Sequence, residues 1–144
     1  MFDYLSIYER FPTDQGLLND IAKAINGEYS AIACYERLAK LAPNEETRKR
    51  ILEIRQDEIR HYQHFTQLYF RLSGRQPTPT MNEGCPAEYK AGLDFAYKDE
   101  QETVDFYLET ADKSADRTVQ EAFRRAAADE QNHAVWFLYF LMRS

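Results

Sequence analysis

The chain has 144 residues and a formal net charge of −6, which argues against nucleic acid and anionic membrane surfaces as partners. Its length suits one domain with a sizeable core, and no run of about 18 apolar residues is present to span a bilayer. The opening "MFDYLSIYERFPTD" lacks the basic, apolar, small-residue order of a secretory leader, so a cytoplasmic protein is expected. Its two cysteines, Cys34 and Cys85, are expected to be reduced there, and without a Cys-x-x-Cys pair they exclude a rubredoxin-type or zinc-ribbon site.

Four segments in chain order are apolar at the helical period. The first, over 14–42, carries Leu17, Leu18, Ile21, Ala24, Ile25, Ala31, Ile32, Tyr35, Leu38 and Ala39 on one stripe, with Pro43 as its stop. Asn44 can cap the second, whose stripe runs from Ile51 through Ile54, Tyr62, Phe65 and Leu68 to Leu72, with Gly74 as its stop. The segment "SGRQPTPTMNEGCP", 73–86, follows; Pro86, at or near the first turn, suits the start of the third helix, which carries Leu93, Ala96, Val104, Tyr107 and Ala111. Asp116 is a candidate cap for the fourth, with Val119, Phe123, Ala126, Ala134, Phe137 and Phe140. Short turns make helix pairs antiparallel. A long middle connection, about 73–86, lets the second pair cross over, so the expected fold is all-α, a ferritin-like four-helix bundle forming a single domain over 1–144.

The two halves resemble each other. Laid without gaps, 21–72 on 93–144 matches Ala24/Ala96, Glu28/Glu100, Tyr35/Tyr107, Ala39/Ala111, Asp57/Asp129, Glu58/Glu130, His61/His133, Phe65/Phe137 and Arg71/Arg143. Ordinary core positions such as Ile25/Tyr97 have drifted, as packing tolerates. The polar residues have not, which selects them as candidate ligands.

Glu58 and His61 are three apart and share the apolar face of their helix, as do Glu130 and His133. Glu28 and Glu100 are acids inside apolar stripes. Glu102 competes with Glu100 but sits about 200° round the helix, and its counterpart is Ser30, so Glu100 is preferred. Buried carboxylates without partners are costly, so four glutamates and two histidines in one core need cations. Hard oxygen ligands with imidazole suit iron or manganese, with zinc possible. One Glu from each of two helices with Glu-x-x-His from each of the other two is the pattern of ferritin-like carboxylate dimetal proteins.

Asp57 and Asp129 are candidates to accept the other ring N–H of a ligating histidine, each from the opposite helix, or else are exposed acids. Tyr35 and Tyr107, two turns beyond Glu28 and Glu100, either bond a ligand carboxylate and line the oxidant's pocket or simply pack in the core. His64 lies off the ligand face and its counterpart is Trp136, so it belongs to the surface or an interface. Cys34 reads as a small buried hydrophobe or a redox residue.

With these residues in place, the chain resembles the rubrerythrin and ferritin-like superfamily over almost all of 14–142. "NGEYSAIACYERLA" and "KDEQETVDFYLETA" are similar to its Glu-bearing helices, "DEIRH" and "DEQNH" to its Glu-x-x-His helices. The resemblance implies two irons, with Glu58 and Glu130 bridging, Glu28 and Glu100 terminal, and His61 and His133 on one iron each. It implies an oxidoreductase reacting with O₂ or hydrogen peroxide, a peroxidase or ferroxidase. Thr103 stands where rubrerythrins often carry a further Glu, and no rubredoxin domain is present, so a peroxidase would need an external electron donor. Ile59 replaces the haem-binding Met of bacterioferritins, so neither haem nor flavin is expected. The chain is short for a cage-forming ferritin. Iron storage, a structural metal site and manganese catalase-like dismutation are the alternatives, and a homodimer joined through aromatics such as Tyr4, Tyr8 and Trp136 is expected.

Overall fold

The computed structural model describes residues 14–82 and 84–144; the opening stretch, with Tyr4 and Tyr8, lies outside the described residues. Among the described residues, four helices carry the fold: α1 (Gln15–Leu41), α2 (Glu45–Ser73), α3 (Tyr89–Lys113) and α4 (Arg117–Met142). Three boundaries have the chemistry that the sequence predicts. Asn44 Oδ1 accepts from Thr47 N at 2.8 Å and Asp116 Oδ1 from Val119 N at 3.1 Å, each occupying an otherwise orphaned N–H of a first turn. Gly74 ends α2 at φ 72, a left-handed conformation that costs glycine nothing.

Pro86 lies near the first turn of α3, which begins at Tyr89. The carbonyls of Cys85 and Pro86 accept from the Arg37 guanidinium at 2.9 and 3.3 Å, which holds the chain extended against α1 through this point.

α1 packs along α2 and α3 along α4, and the two pairs meet through narrower α1–α3 and α2–α4 contacts. Lys23 lies over the Phe106 ring at 4.2 Å, while Leu38, near the other end of α1, meets Gly92 at the start of α3. Thus α1 and α3 are antiparallel, and by the same pairing of Phe65 with Phe123 and Arg50 with Trp136, so are α2 and α4. Helices α2 and α3 are therefore parallel, and residues 74–88 must return the chain along the whole bundle. Their stretched reach of about 50 Å covers the roughly 38 Å of a helix the length of α3. The connection runs beside α1: Thr80 N donates to Asn26 Oδ1 at 2.8 Å and Asn82 N to Ser30 Oγ at 2.7 Å.

The same course brings together two cysteines 51 residues apart. Cys34 and Cys85 form a disulfide with Cα atoms 5.8 Å apart, which corrects the expectation of a reduced pair. Sequence spacing could not show it, because the contact depends on which face of α1 the connection follows.

The apolar core is in two parts. One gathers Ile21, Ile25, Phe65, Tyr107, Val119 and Phe123; the other gathers Tyr35, Leu38, Ile51, Ile54, Leu93 and Phe137. In the first, Phe65 and Phe123 stack at 4.5 Å and Tyr107 meets both edge-on. Between the two lies a band of buried charge.

Candidate metal centre

The band consists of Glu28, Glu58, His61, Glu100, Glu130 and His133, all buried. Each helix contributes from its inward stripe: α1 one Glu, α3 one Glu, α2 and α4 a Glu and a His one turn apart. Two overlapping groups result. Glu28, Glu58, His61 and Glu130 converge so that one ligand atom from each lies within 4.8 Å of the others, and Glu58, Glu100, Glu130 and His133 do likewise. Glu58 and Glu130 belong to both groups. Glu58 Oε1 lies 3.4 Å from His61 Nδ1 and 3.3 Å from His133 Nδ1; Glu130 Oε1 lies 3.1 and 3.7 Å from the same atoms.

Six atoms face the middle of this cluster: Glu28 Oε2, Glu58 Oε1, His61 Nδ1, Glu100 Oε2, Glu130 Oε1 and His133 Nδ1. None has a hydrogen-bond partner, although all are buried. The approach of His61 Nδ1 to Glu28 Oε2, 2.7 Å, is close without being directed as a hydrogen bond. Buried polar atoms are rarely left so. Oxygen and imidazole donors left open in this way fit a cation, and two overlapping groups fit two.

The outward nitrogens are held. His61 Nε2 lies 2.8 Å from Asp129 Oδ2 and His133 Nε2 lies 2.7 Å from Asp57 Oδ2. Each aspartate thus takes the ring N–H of the opposite helix's histidine, which leaves Nδ1 free to face inward. The aspartates are themselves fixed, Asp129 by Arg125 at 3.0 Å and Asp57 by Arg60. These arginines escaped the sequence reading because both look like ordinary helix-surface ion pairs.

The electrostatics are those of carboxylates crowded together in an apolar core. Burial, followed by repulsion from Glu58, holds Glu28 well above the usual carboxylate range, and burial with Glu100 and Glu58 does the same to Glu130. Burial and Glu58 also raise Glu100. Burial alone would raise Glu58, but His133 and His61 on either side bring it below its ordinary value. Burial alone would lower His61, yet Asp129, Glu28 and Glu58 push it up to about 12; Glu100 and Glu58 similarly push His133 up to about 11. Protons are the only positive charge these carboxylates can gather from their own side chains.

Tyr35 donates its hydroxyl to Glu100 Oε1 at 2.5 Å, and its ring packs on Phe137 at 5.0 Å. Burial and Glu100 raise its hydroxyl well above its ordinary value, so it stays a donor. Tyr107 differs: it sits edge-on in the aromatic core and lines a small cavity of about 90 Å³ together with Glu28, Glu58 and Glu130. Glu102 and His64 are exposed, outside the cluster. Trp136 is half-buried beneath the Arg50 guanidinium, 4.1 Å from its ring centroid.

Three residues that sequence did not single out shape the approach to the centre. Gly27, Asn82 and Asp99 line both the small cavity and a larger outer cleft of 520 Å³. Nothing lies within 4 Å of where a Cβ on Gly27 would sit, so the space beside it is open. Asp99 is pushed up to about 6 by burial and then by Glu58 and Glu102.

A bundle of two antiparallel helix pairs around a buried carboxylate and histidine cluster defines a ferritin-like protein with a candidate metal centre. The comparisons agree: the chain belongs to the rubrerythrin and ferritin-like superfamily. The Rubrerythrin family profile matches residues 92–143, which carry Glu100, Glu130 and His133. A Bacillus subtilis (strain 168) relative, the uncharacterized protein YhjR, is 54% identical over 129 residues, covering 90% of this chain and 89% of its own. A hypothetical protein from Pyrococcus furiosus shares the fold, with a TM-score of 0.75 at 20% identity over 88% of each chain. Among the described residues, no helix is long and apolar enough to cross a membrane.

Proposed function

We propose that the chain is a rubrerythrin-like oxidoreductase that holds two irons and reduces hydrogen peroxide, or reacts with O₂ as a ferroxidase. Glu28, Glu58, His61 and Glu130 would hold one iron, and Glu58, Glu100, Glu130 and His133 the other. The observation that carries this reading is the set of six inward, buried atoms without partners, grouped around two shared carboxylates.

Two ferrous ions would supply together the two electrons that cleave the O–O bond of peroxide to water. The remaining work falls to the chain. Asp57 and Asp129 orient the imidazoles. Tyr35 holds Glu100 by one oxygen and keeps a proton at the edge of the cluster. The two apolar cores above and below limit bulk water, and the small cavity beside Gly27 gives a route to the cluster. An external donor would return the electrons. Exposed apolar residues on α4, among them Val135, Leu138, Tyr139 and Met142, support a homodimer, and a sedimentation mass of one chain would count against it.

Anaerobic loading with Fe(II), followed by one equivalent of peroxide, tests the reading. Prompt ferric absorbance in the near ultraviolet is expected, and its loss in Glu130→Ala. No absorbance, or an unchanged variant, sinks it. Many irons per chain in a large particle would indicate storage instead.

A further inference from the structure

The disulfide lines a cleft that adjoins the cavity of the carboxylate centre. Cys34 and Cys85 line the outer 520 Å³, along with Gly27, Asn82 and Asp99. The adjoining 90 Å³ cavity shares those three residues and reaches Glu28, Glu58 and Glu130. Cys34 lies six residues along α1 from Glu28, about 9 Å along the axis. It directly precedes Tyr35, which bonds Glu100.

A structural staple would be the simplest role for such a bond, but the connection does not depend on it. Asn26, Ser30 and Arg37 each hydrogen-bond its backbone along α1, at Thr80, Asn82, and Cys85 with Pro86. None of these bonds uses a sulfur, so reduction leaves their donors and acceptors intact to hold the two thiols opposite each other. The pair is also asymmetric. Cys34 is buried and Cys85 is half-buried, so an external thiol can reach only the outer sulfur readily. Thiol–disulfide exchange needs such an accessible sulfur to attack and an inner one to leave.

We propose that Cys34 and Cys85 form a redox-active dithiol couple that supplies the two electrons for each peroxide reduced at the centre. The proposal rests on the reading of that centre as peroxide-reducing. Overall, two S–H bonds break and one S–S bond forms, the O–O bond of hydrogen peroxide breaks, and the two thiol protons leave in two waters. An external dithiol restores the couple. Its thiolate attacks Cys85 Sγ, Cys34 leaves as thiolate, and the donor's second thiol resolves the mixed disulfide, leaving the donor oxidised.

The test starts from fully reduced, Fe(II)-loaded protein held without oxygen. After one equivalent of hydrogen peroxide, ferric absorbance is followed, while unreacted thiols are trapped by alkylation and counted by mass. The thiols should fall from the chain's two to none, a crosslinked Cys34–Cys85 peptide should appear, and the ferric absorbance should be transient. Metal-free protein should lose its thiols more slowly, on the order of tenfold. Cys34→Ser and Cys85→Ser, each with wild-type iron content and helicity, should keep their ferric absorbance. Persistent ferric absorbance with both thiols intact overturns the couple and leaves the centre standing. Equally fast thiol loss without metal also overturns it, since the pair would then act on peroxide unaided. If no ferric absorbance forms and the thiols survive, the reading of the centre fails and the couple fails with it.

Discussion

At the level of single residues, the centre is a balance between ligand chemistry and folding cost. Four carboxylates in an apolar bundle repel one another, and burial, Glu100 and Glu58 together hold the Glu130 carboxyl well above its ordinary range. Replacing it by an uncharged isostere removes repulsion and ligand alike. Glu130→Gln should therefore raise the melting temperature of metal-free protein while abolishing the rise that added Fe(II) gives wild type. A variant that melts lower without metal would deny the repulsion. The outer aspartates act at one remove. Asp129→Asn leaves His61 Nδ1 in place but weakens the acceptor that orients its ring. Metal affinity, measured by chelator competition, should fall by about 10–100-fold, and an unchanged affinity would show the contact to be incidental.

The imidazoles also give the metal-free protein a sign for its pH dependence. His61 and His133 rise from about 6.5 when unfolded to about 12 and about 11 in the fold. Their contribution is complete below the unfolded value and is lost as pH rises towards the folded ones. The raised Glu28, Glu100 and Glu130 act in the same direction from lower pH; the lowered Glu58 opposes them only as acid is added. Metal-free protein should thus lose stability from pH 6.5 to 9. Metal binding releases those protons and tightens with pH, so the melting gap between loaded and metal-free protein should widen. A gap that stays constant would mean that the protons are not on the ligands.

Among elements, what was legible in the sequence depended on whether the signal was local or repeated. Helix periods and the caps Asn44, Asp116 and Gly74 were local. Glu58, His61, Glu130 and His133 emerged because each half carries them at the same position, and Glu28 and Glu100 because an acid inside an apolar stripe stands out. That the long connection crosses over was legible, but the face of α1 that it follows was not, and two features went with it: the disulfide and the part of Asn82 in the cleft. A contact between a helix and an extended segment has no period to read. Gly27 illustrates the same limit, since an unexceptional helix glycine becomes a passage only once Asn82 and Asp99 are beside it. Gly27→Leu should gain helix stability, by about 1 kcal/mol or less, and keep its metal, while slowing the reaction with peroxide in stopped flow. An unaltered rate would put the access path elsewhere.

Across the whole molecule, the bundle places its least compatible residues at its centre and surrounds them with two aromatic and aliphatic cores that make the arrangement affordable. The pseudo-repeat explains the symmetry: equivalent helices meet antiparallel, so each Glu-x-x-His faces the other and each aspartate reaches across to the opposite histidine. A cation in each half would join all four helices through Glu58 and Glu130. The most direct test is an anaerobic Fe(II) titration of metal-free protein, followed by thermal stability and by bound iron after desalting. The account predicts a break at two irons per chain, with stability rising up to it, and neither in Glu58→Ala. Protein that binds no Fe(II) and melts at the same temperature with and without it would contradict the account at its root.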